Sequence, residues 1–252
     1  MREIKTGRKT WFLLAAFFCL TLFWGKTDVF AAKTVNLTPN KWYKDKSLYN
    51  NQTVFHKVTA PKDGILVIDG YGYSRVRKGK FELPIQMYNR RKSAMQTQKI
   101  NLNKQNGYRS YVGVKKGIYY IRVDDSLYKL KYKFKAVSDK SGSSRLQSRN
   151  LSKGKTMEGL LRLGENGKKS DWYKFRLKKA RSVTFTFGSR SNGWVEFKIL
   201  SDKQKLKDNS AYIYNKTLTG ASAKLPKGTY YIQVKHQGNN KNTTGFYSLR
   251  WK

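Results

Sequence analysis

Two stretches of the sequence alternate basic with apolar side chains, and basic side chains in a row can bind anions. In "YKLKYKFK", the four lysines are Lys129, Lys131, Lys133 and Lys135, and "YKFRLKK" places Lys174, Arg176 and Lys178 at the same spacing. Alternate residues of a strand share a face, about 6.6–6.8 Å apart. Each basic set would therefore line one face, and both sets are candidate polyanion sites. An ordinary amphipathic strand also explains the alternation, but it leaves the lack of acids on the polar side unexplained.

The charge of the chain points to the same class of partner. The chain has 53 Lys and Arg against 15 Asp and Glu, for a net charge of +38. Residues 1–31 hold five of these bases and two of these acids, so the remainder carries 48 against 13, or +35. A net charge of about 2–8 keeps a small domain soluble, whereas a larger field favours polyanions. The excess predicts binding to wall teichoic acid, acidic polysaccharide, extracellular DNA or anionic lipid headgroups, unless it reflects a saline habitat or lineage bias.

Catalytic and metal-binding patterns are scarce. His56 and His236 are the two histidines, and neither has a second histidine at a metal-ligand spacing. Asp124 and Asp125 are adjacent, but neighbouring residues of a strand point to opposite faces. The single cysteine, Cys19, lies in an apolar run near the start of the chain. We therefore expect a protein without catalytic residues, metal or cofactor, and catalysis is the minority hypothesis.

The elements that would position the basic rows are repeated. "KGIYYIRV", Lys116 to Val123, recurs as "KGTYYIQV", Lys227 to Val234. "NLTPNK" and "HKVTAPKDGILVI" likewise have counterparts in "NLSKGK" and "YKFRLKKARSVTF", in the same order. Their β-branched and aromatic residues alternate with polar ones, which is typical of half-buried strands. Three anchors in one order indicate a duplicated unit of about 100 residues.

The ends and the middle of the chain set the expected boundaries. Residues 1–31 combine a basic start, a short uncharged apolar run and "VFA", the order of a secretory signal peptide, with an uncleaved membrane anchor as the alternative. A Ser-rich stretch near 140–147 has the composition of a linker. We therefore expect a first sandwich at 32–139 and a second at 148–252. The protein would be secreted, and any attachment to the cell surface would be non-covalent.

Frequent short strand patterns without a long helical period predict an all-β fold, with two tandem antiparallel β-sandwiches of jelly-roll-like form. Both units resemble the bacterial pre-peptidase C-terminal domain, on "DWYKFRLKKARSVTFTF" and "KGTYYIQV…GFYSLRW" in the second unit and on "HKVTAPKDGILVI" and "KGIYYIRV" in the first. The resemblance implies a β-sandwich with an accessory, non-catalytic role, and it implies no ligand.

The sequence leaves three functions open. The first is a secreted binding module for anionic polymers. The second is a neutral-glycan or protein adhesin, with Trp42, Tyr43, Tyr71 and Tyr73 as a stacking surface. The third is an accessory factor of an exported protease or other hydrolase. Salt-sensitive binding would separate the first from the second, and co-purification with an exported enzyme would mark the third.

Overall fold

The regular structure is almost entirely β-strand, as the sequence predicts. The computed structural model describes residues 32–45, 53–124, 127–207, 209–240 and 242–252. Two single turns of 3-10 helix, Lys104–Asn106 and Gln237–Asn239, interrupt the strands. No helix in the described ranges is long and apolar enough to cross a membrane. The predicted signal peptide, 1–31, lies outside the described residues.

The first nine strands form two facing sheets. They are β1 (Lys33–Asn36), β2 (Tyr43–Lys44), β3 (Val54–Ala60), β4 (Gly64–Gly72), β5 (Leu83–Tyr88), β6 (Ile100–Leu102), β7 (Arg109–Val114), β8 (Gly117–Val123) and β9 (Tyr128–Ala136). One sheet has the order β1-β3-β8-β5-β6, and the other has the order β2-β9-β4-β7. We call this pair the first sandwich.

The next nine strands form the second sandwich. They are β10 (Arg149–Asn150), β11 (Met157–Leu161), β12 (Ser170–Leu177), β13 (Thr184–Ser191), β14 (Val195–Ser201), β15 (Ser210–Ile213), β16 (Thr217–Ala221), β17 (Gly228–His236) and β18 (Gly245–Trp251). The sheet orders are β10-β12-β17-β14-β15 and β11-β18-β13-β16.

The strand order of the second sandwich repeats that of the first. Adding nine to each strand number of the first pair of sheets reproduces the second pair. The two near-identical stretches of the sequence are β8 and β17, which occupy equivalent central positions. The repeated anchors in the sequence therefore coincide with equivalent strands.

The sheets are mixed rather than purely antiparallel, which differs from the sequence prediction in one detail. Strand β1 pairs with β3 in parallel, and β10 pairs with β12 in parallel. In each case the chain crosses to the opposite sheet, where it forms β2 or β11, and then comes back to the first sheet. That crossover allows two strands separated by one other strand to run in the same direction.

Each sandwich has its own core, built from the inward residues of the strands. In the first, aliphatic side chains such as Leu66, Ile85 and Ile121 are fully buried. The second core is richer in aromatic side chains than the first, with Phe197 fully buried and Phe175 and Trp251 nearly so. Inward residues on both sheets are what the period-two patterns predict.

The two sandwiches also bury apolar residues against each other. Ile65 and Val67, on the outer face of β4, pack with Val137 and with Leu160 of β11. Leu163 N–H donates to Gly113 O at 2.8 Å, which adds a backbone hydrogen bond across the contact. Lys33–Lys252 consequently forms one compact unit.

Gly113 is required at this contact. A Cβ on Gly113 would lie 2.4 Å from Leu161 O and 2.7 Å from Gly245 O, both backbone atoms. Real Cβ atoms do not approach that closely, so any larger residue would force the sheets apart.

One arginine lies among carboxylates from both sandwiches. The Arg162 guanidinium is 3.2 Å from Asp63 and from Asp139, and 3.3 Å from Glu165. Its side chain is only 15% exposed and that of Asp139 only 5%. The contact between the sandwiches therefore contains a largely buried ion network beside its apolar cluster.

The predicted linker segment packs on the second sandwich. Gly142 and Trp172 exchange backbone hydrogen bonds of 2.9 and 3.0 Å, which extends the sheet beyond β12. Arg145 pairs with Asp202, and its guanidinium lies 4.4 Å from the Tyr231 ring. The boundary at 140–147 remains a prediction, and the segment itself is held by these contacts.

Candidate functional site

The outer face of the sheet β2-β9-β4-β7 divides into a covered half and an open half. Ile65 and Val67 lie in the covered half, against the second sandwich. In the open half, β4 and β9 align Asp69 with Lys131 and Tyr71 with Lys129. Residues directly opposite on neighbouring strands share a face. This open half brings acids, bases and aromatic rings together.

Three aromatic rings adjoin one another there. The centroids of Trp42 and Tyr71 are 5.7 Å apart, and those of Tyr71 and Tyr108 are 6.2 Å apart, both in edge-to-face geometry. Trp42 is 47% exposed. Such geometry is favourable for aromatic pairs and leaves ring surface accessible to a ligand.

Lysines cover these rings. Lys131 Nζ is 4.5 Å from the Trp42 centroid, and Lys129 Nζ is 5.9 Å from that of Tyr71. Lys80 Nζ lies 4.8 Å from Tyr71 and 5.7 Å from Tyr108. Each such cation–π contact is worth about 0.5–1 kcal/mol at an exposed site. We call this group of six, Trp42, Tyr71, Lys80, Tyr108, Lys129 and Lys131, the aromatic–lysine face.

A single carboxylate anchors the face. Asp69 Oδ1 accepts from Arg109 Nε at 2.5 Å, and Asp69 Oδ2 is 3.4 Å from Lys131 Nζ. The hydrogen bond to Asp69 raises the pKa of Arg109 above its usual value. Two cations, Arg109 and Lys131, thus share this one acid, and with Lys80 and Lys129 the face carries a surplus of positive charge that is available to an anionic ligand.

The four predicted lysines of β9 share an outer face, but they do not share an environment. Lys129 and Lys131 belong to the aromatic–lysine face. Lys135 is 3.5 Å from Glu158 and 4.8 Å from the Phe246 centroid, at the contact between the sandwiches. Lys133 is exposed and makes no ion pair with the described residues. Only two lysines of the row therefore lie near the rings. Of the other two, Lys133 is exposed and Lys135 is paired at the contact between the sandwiches.

The second predicted set lies elsewhere. Lys174 and Arg176 are on the outer face of β12, and Lys178 directly follows that strand. This strand belongs to the five-stranded sheet of the second sandwich. The structure therefore does not bring this set together with the lysines of β9.

Two of the four aromatics predicted as a stacking surface are outside the face. Tyr43 packs on the buried His56 ring at 4.7 Å. Tyr73 donates from its hydroxyl to Asp45 O at 2.5 Å, and Lys44 lies 5.1 Å from its ring. Tyr108 and Lys80 complete the face instead. Both come from loops, where no periodic pattern marks them.

A polar cleft adjoins the face at Arg109. It has a volume of about 240 Å³ and lies between the sandwiches. Most of its lining is amide, hydroxyl and guanidinium, including Asn101, Gln98, Asn192, Tyr214, Asn240 and Asn242. Such groups both donate and accept hydrogen bonds, so the cleft suits an uncharged, hydroxyl-rich group.

The described residues offer little to a metal ion. No group of three His, Cys, Asp or Glu that could hold one occurs within the described ranges. Asp124 is 2.8 Å from Lys99 and also pairs with Arg122. The adjacent residue, Asp125, lies outside the described residues.

Each sandwich buries one polar cluster at equivalent strands. In the first, His56 Nε2 lies 2.5 Å from Tyr128 Oη. In the second, the Tyr173 and Tyr247 hydroxyls are 2.9 Å apart, and Tyr247 donates to Asp171 at 2.7 Å. Burial, with the charge of Asp139, raises the pKa of Asp171 to about 6. These groups are enclosed in the cores, where a substrate cannot reach them.

Replacing His56 by glutamine should change how stability depends on acidity. Burial lowers the pKa of His56 to about 4, and the charge of Asp45 opposes part of that shift. Neutral His56 thus stabilises the fold above pH 6.5, and this contribution is lost as the pH falls toward 4. Relative to wild type, His56→Gln should gain ~3 kcal/mol of unfolding free energy on acidification from about pH 7 to about pH 4. Urea unfolding of both proteins at several pH values measures this; parallel pH curves would contradict it.

No family model and no curated protein matches this chain. Among solved structures it is similar to the pre-peptidase C-terminal domain of collagenase from Bacillus anthracis, at 19% identity over 41% of this chain and 93% of that one, with a TM-score of 0.33. The CUB1-EGF-CUB2 domains of human MASP-1/3 match at 9% identity over 84% and 99% of the two chains, with a TM-score of 0.24. The tandem CBM22-1-CBM22-2 domain of Paenibacillus barcinonensis Xyn10C matches at 10% over 85% and 94%, with a TM-score of 0.23. At these values none of the three assigns a family or a ligand, and membership of the pre-peptidase C-terminal family stays a prediction.

Proposed function

We propose that this chain is a secreted, non-catalytic binding module that adheres to anionic polymers through the aromatic–lysine face, and that its preferred polymer is an acidic polysaccharide. The observation that carries the proposal is the cluster of Lys80, Lys129 and Lys131 over three adjoining, partly exposed rings. Secretion rests on the signal-peptide pattern of residues 1–31. Attachment to the cell surface would then be through the polymer itself.

The combination of rings and ammonium groups favours a ligand with both rings and negative charges. Lysine ammonium groups act as mobile point charges without the bidentate geometry that selects one anion. The rings of Trp42, Tyr71 and Tyr108 meet edge to face, so they do not form a flat platform for successive stacked bases. A chain of carboxylated sugar rings can contact these rings singly and place its acids at the lysines. This is why we favour an acidic polysaccharide over nucleic acid.

The neighbouring polar cleft supports the same ligand class. Arg109 belongs both to the ion network of the face and to the lining of the cleft. A sugar unit that continues from the face would enter a site rich in amide donors and acceptors. Buried hydroxyl groups need such partners.

A neutral-glycan adhesin is the rival function, and the amide-rich cleft is the observation that favours it. Counterion release makes binding of a polyanion weaken as salt is raised. Binding of a neutral glycan depends on stacking and hydrogen bonds and is largely independent of salt. Dextran and alginate, one neutral and one acidic, therefore distinguish the two functions in a salt series.

Replacing Lys80, Lys129 and Lys131 by glutamine should weaken alginate binding by roughly tenfold or more at physiological salt. Three contacts to anionic groups are lost, and each also contributes to the salt dependence. The salt slope should therefore be shallower in this variant. Calorimetric titration with alginate across a salt series measures both quantities.

The second basic set supplies a matched control. Lys174, Arg176 and Lys178 changed to glutamine remove the same number of charges from the other sandwich. We expect this variant to lose much less affinity. Equal losses in both variants would show that the charge acts as a diffuse field without a localised site. Absence of alginate binding by wild type at physiological salt would rule out the proposed function.

A further inference from the structure

A cavity with a partly apolar lining opens at one edge of the second sandwich, away from the aromatic–lysine face. Its volume is about 520 Å³, within the range of about 300–1,000 Å³ typical of small-molecule sites. It lies between the edge strands β15 and β16 and is bounded by the segment 204–207. Nothing in the proposed polysaccharide binding uses this cavity.

Three phenylalanines form the inner wall. Phe185 and Phe187 stack at 5.7 Å, and Phe187 and Phe197 stack at 4.7 Å, with interplanar angles of 15° and 17°. Each is at most 5% exposed. Leu218, which pairs with Phe187 across the strands, is 43% exposed and adds an apolar side to the entrance.

The cavity exists because small residues occupy inward positions on the edge strands. Gly220 pairs with Phe185, and Ala211 pairs with Phe197, so both point toward the space between the sheets. A Cβ on Gly220 would meet nothing within 4 Å. In the first sandwich, the equivalent edge strands β6 and β7 carry residues such as Leu102 and Val112, both fully buried. The equivalent edge strands of the first sandwich thus bury larger side chains than Gly220 and Ala211.

Lysines stand at the rim of the cavity. Leu206 is half-buried and packs on the core, whereas Lys205 and Lys207 on either side of it are exposed. Lys224 also lines the cavity and is exposed. Within the described ranges none of these three lysines makes an ion pair. An apolar inner wall with a cationic rim matches a molecule that has an alkyl chain and an anionic end.

We infer that the second sandwich binds a fatty-acid-like amphiphile, with the alkyl chain against Phe185, Phe187 and Phe197 and the carboxylate at Lys205, Lys207 and Lys224. Each methylene group that enters the cavity contributes about 0.8 kcal/mol. The lysines hold the carboxylate at the entrance, where it remains solvated. This site is independent of the aromatic–lysine face.

Calorimetric titration of Ala32–Lys252, which contains the whole compact unit, tests the site with decanoate, butyrate and 1-decanol. Decanoate should bind at least ~100-fold more tightly than butyrate because its chain is six methylene groups longer. Gly220→Leu should fill the cavity and weaken decanoate binding at least ~tenfold. Thr219→Leu adds an apolar side chain to the outer face of the same strand and should leave the affinity unchanged.

The rim is tested separately. Glutamine at positions 205, 207 and 224 should weaken decanoate binding by roughly tenfold while leaving 1-decanol unaffected. These side chains are exposed, so the variant decides the question even if Gly220→Leu fails to fold. Equal affinity for butyrate and decanoate, or binding to anionic lipid vesicles without binding to monomeric decanoate, would overturn the inference.

Discussion

Replacing Arg162 by alanine is expected to lower the free energy of unfolding of the compact unit by ~3–5 kcal/mol. The substitution leaves Asp139, whose side chain is 5% exposed, without its cation, whereas Glu165 keeps Lys169 at 2.9 Å. A buried carboxylate without a partner carries the full cost of its desolvation. Urea unfolding monitored by tryptophan fluorescence measures the change as a shift of the midpoint.

The exposed ion pair of Arg145 and Asp202 is the control for this prediction. Their side chains are 39% and 53% exposed. Arg145→Ala should therefore cost no more than ~1 kcal/mol. If Arg162→Ala and Arg145→Ala had equal effects, the network between the sandwiches would not stabilise their contact.

Replacing Trp251 by alanine, in the core of the second sandwich, should lower the free energy of unfolding by ~3–5 kcal/mol. Its indole Nε1–H donates to Leu151 O at 2.7 Å, and its ring lies 5.0 Å from that of Phe175. Truncation removes this packing and leaves a cavity and an unpaired carbonyl. Thermal unfolding followed by circular dichroism should show a lower melting temperature.

The same substitution at Trp42 should have the opposite pattern of effects. Trp42 is 47% exposed, so Trp42→Ala should change stability by about 1 kcal/mol or less. It should nevertheless weaken alginate binding, because it removes a ring from the aromatic–lysine face. A folded Trp251→Ala protein should retain its alginate affinity. Loss of affinity in Trp251→Ala without loss in Trp42→Ala would place the binding site in the second sandwich.

The sequence predicts the strands of this protein well because side-chain alternation is a local property. The pattern around Ile121 and Ile232 marks β8 and β17 correctly, and the alternation at Tyr128, Leu130 and Tyr132 correctly identifies the inner face of β9. The all-β class and the sandwich architecture follow from such patterns. The parallel pairing of β1 with β3 does not follow from them, because it depends on which strand the chain pairs with when it comes back from the opposite sheet.

The sequence also contains an indication of the contact between the sandwiches, but it is a continuous apolar run and not an alternating pattern. "GILVI" at the start of β4 is apolar at consecutive positions, and Ile65, Leu66, Val67 and Ile68 are all buried. A continuous apolar run indicates burial on both faces of a strand, and the second sandwich covers the outer one. The aromatic–lysine face was predicted only in part, because Lys80 and Tyr108 reach it from loops whose course is set by tertiary structure.

The buried polar clusters of the two copies contain different titratable groups, His56 in the first and Asp171 in the second, and these two groups respond to acid in opposite directions. His56 in the first sandwich loses its stabilising contribution as the pH falls from 6.5 toward 4. Asp171 in the second has its pKa raised from 3.8 to about 6, so its contribution grows as the pH falls through that same interval. Each shift corresponds to ~3 kcal/mol. Acidification through this interval therefore weakens the first sandwich at His56 and strengthens the second at Asp171, and an unfolding free energy measured on the whole compact unit contains both effects with opposite sign.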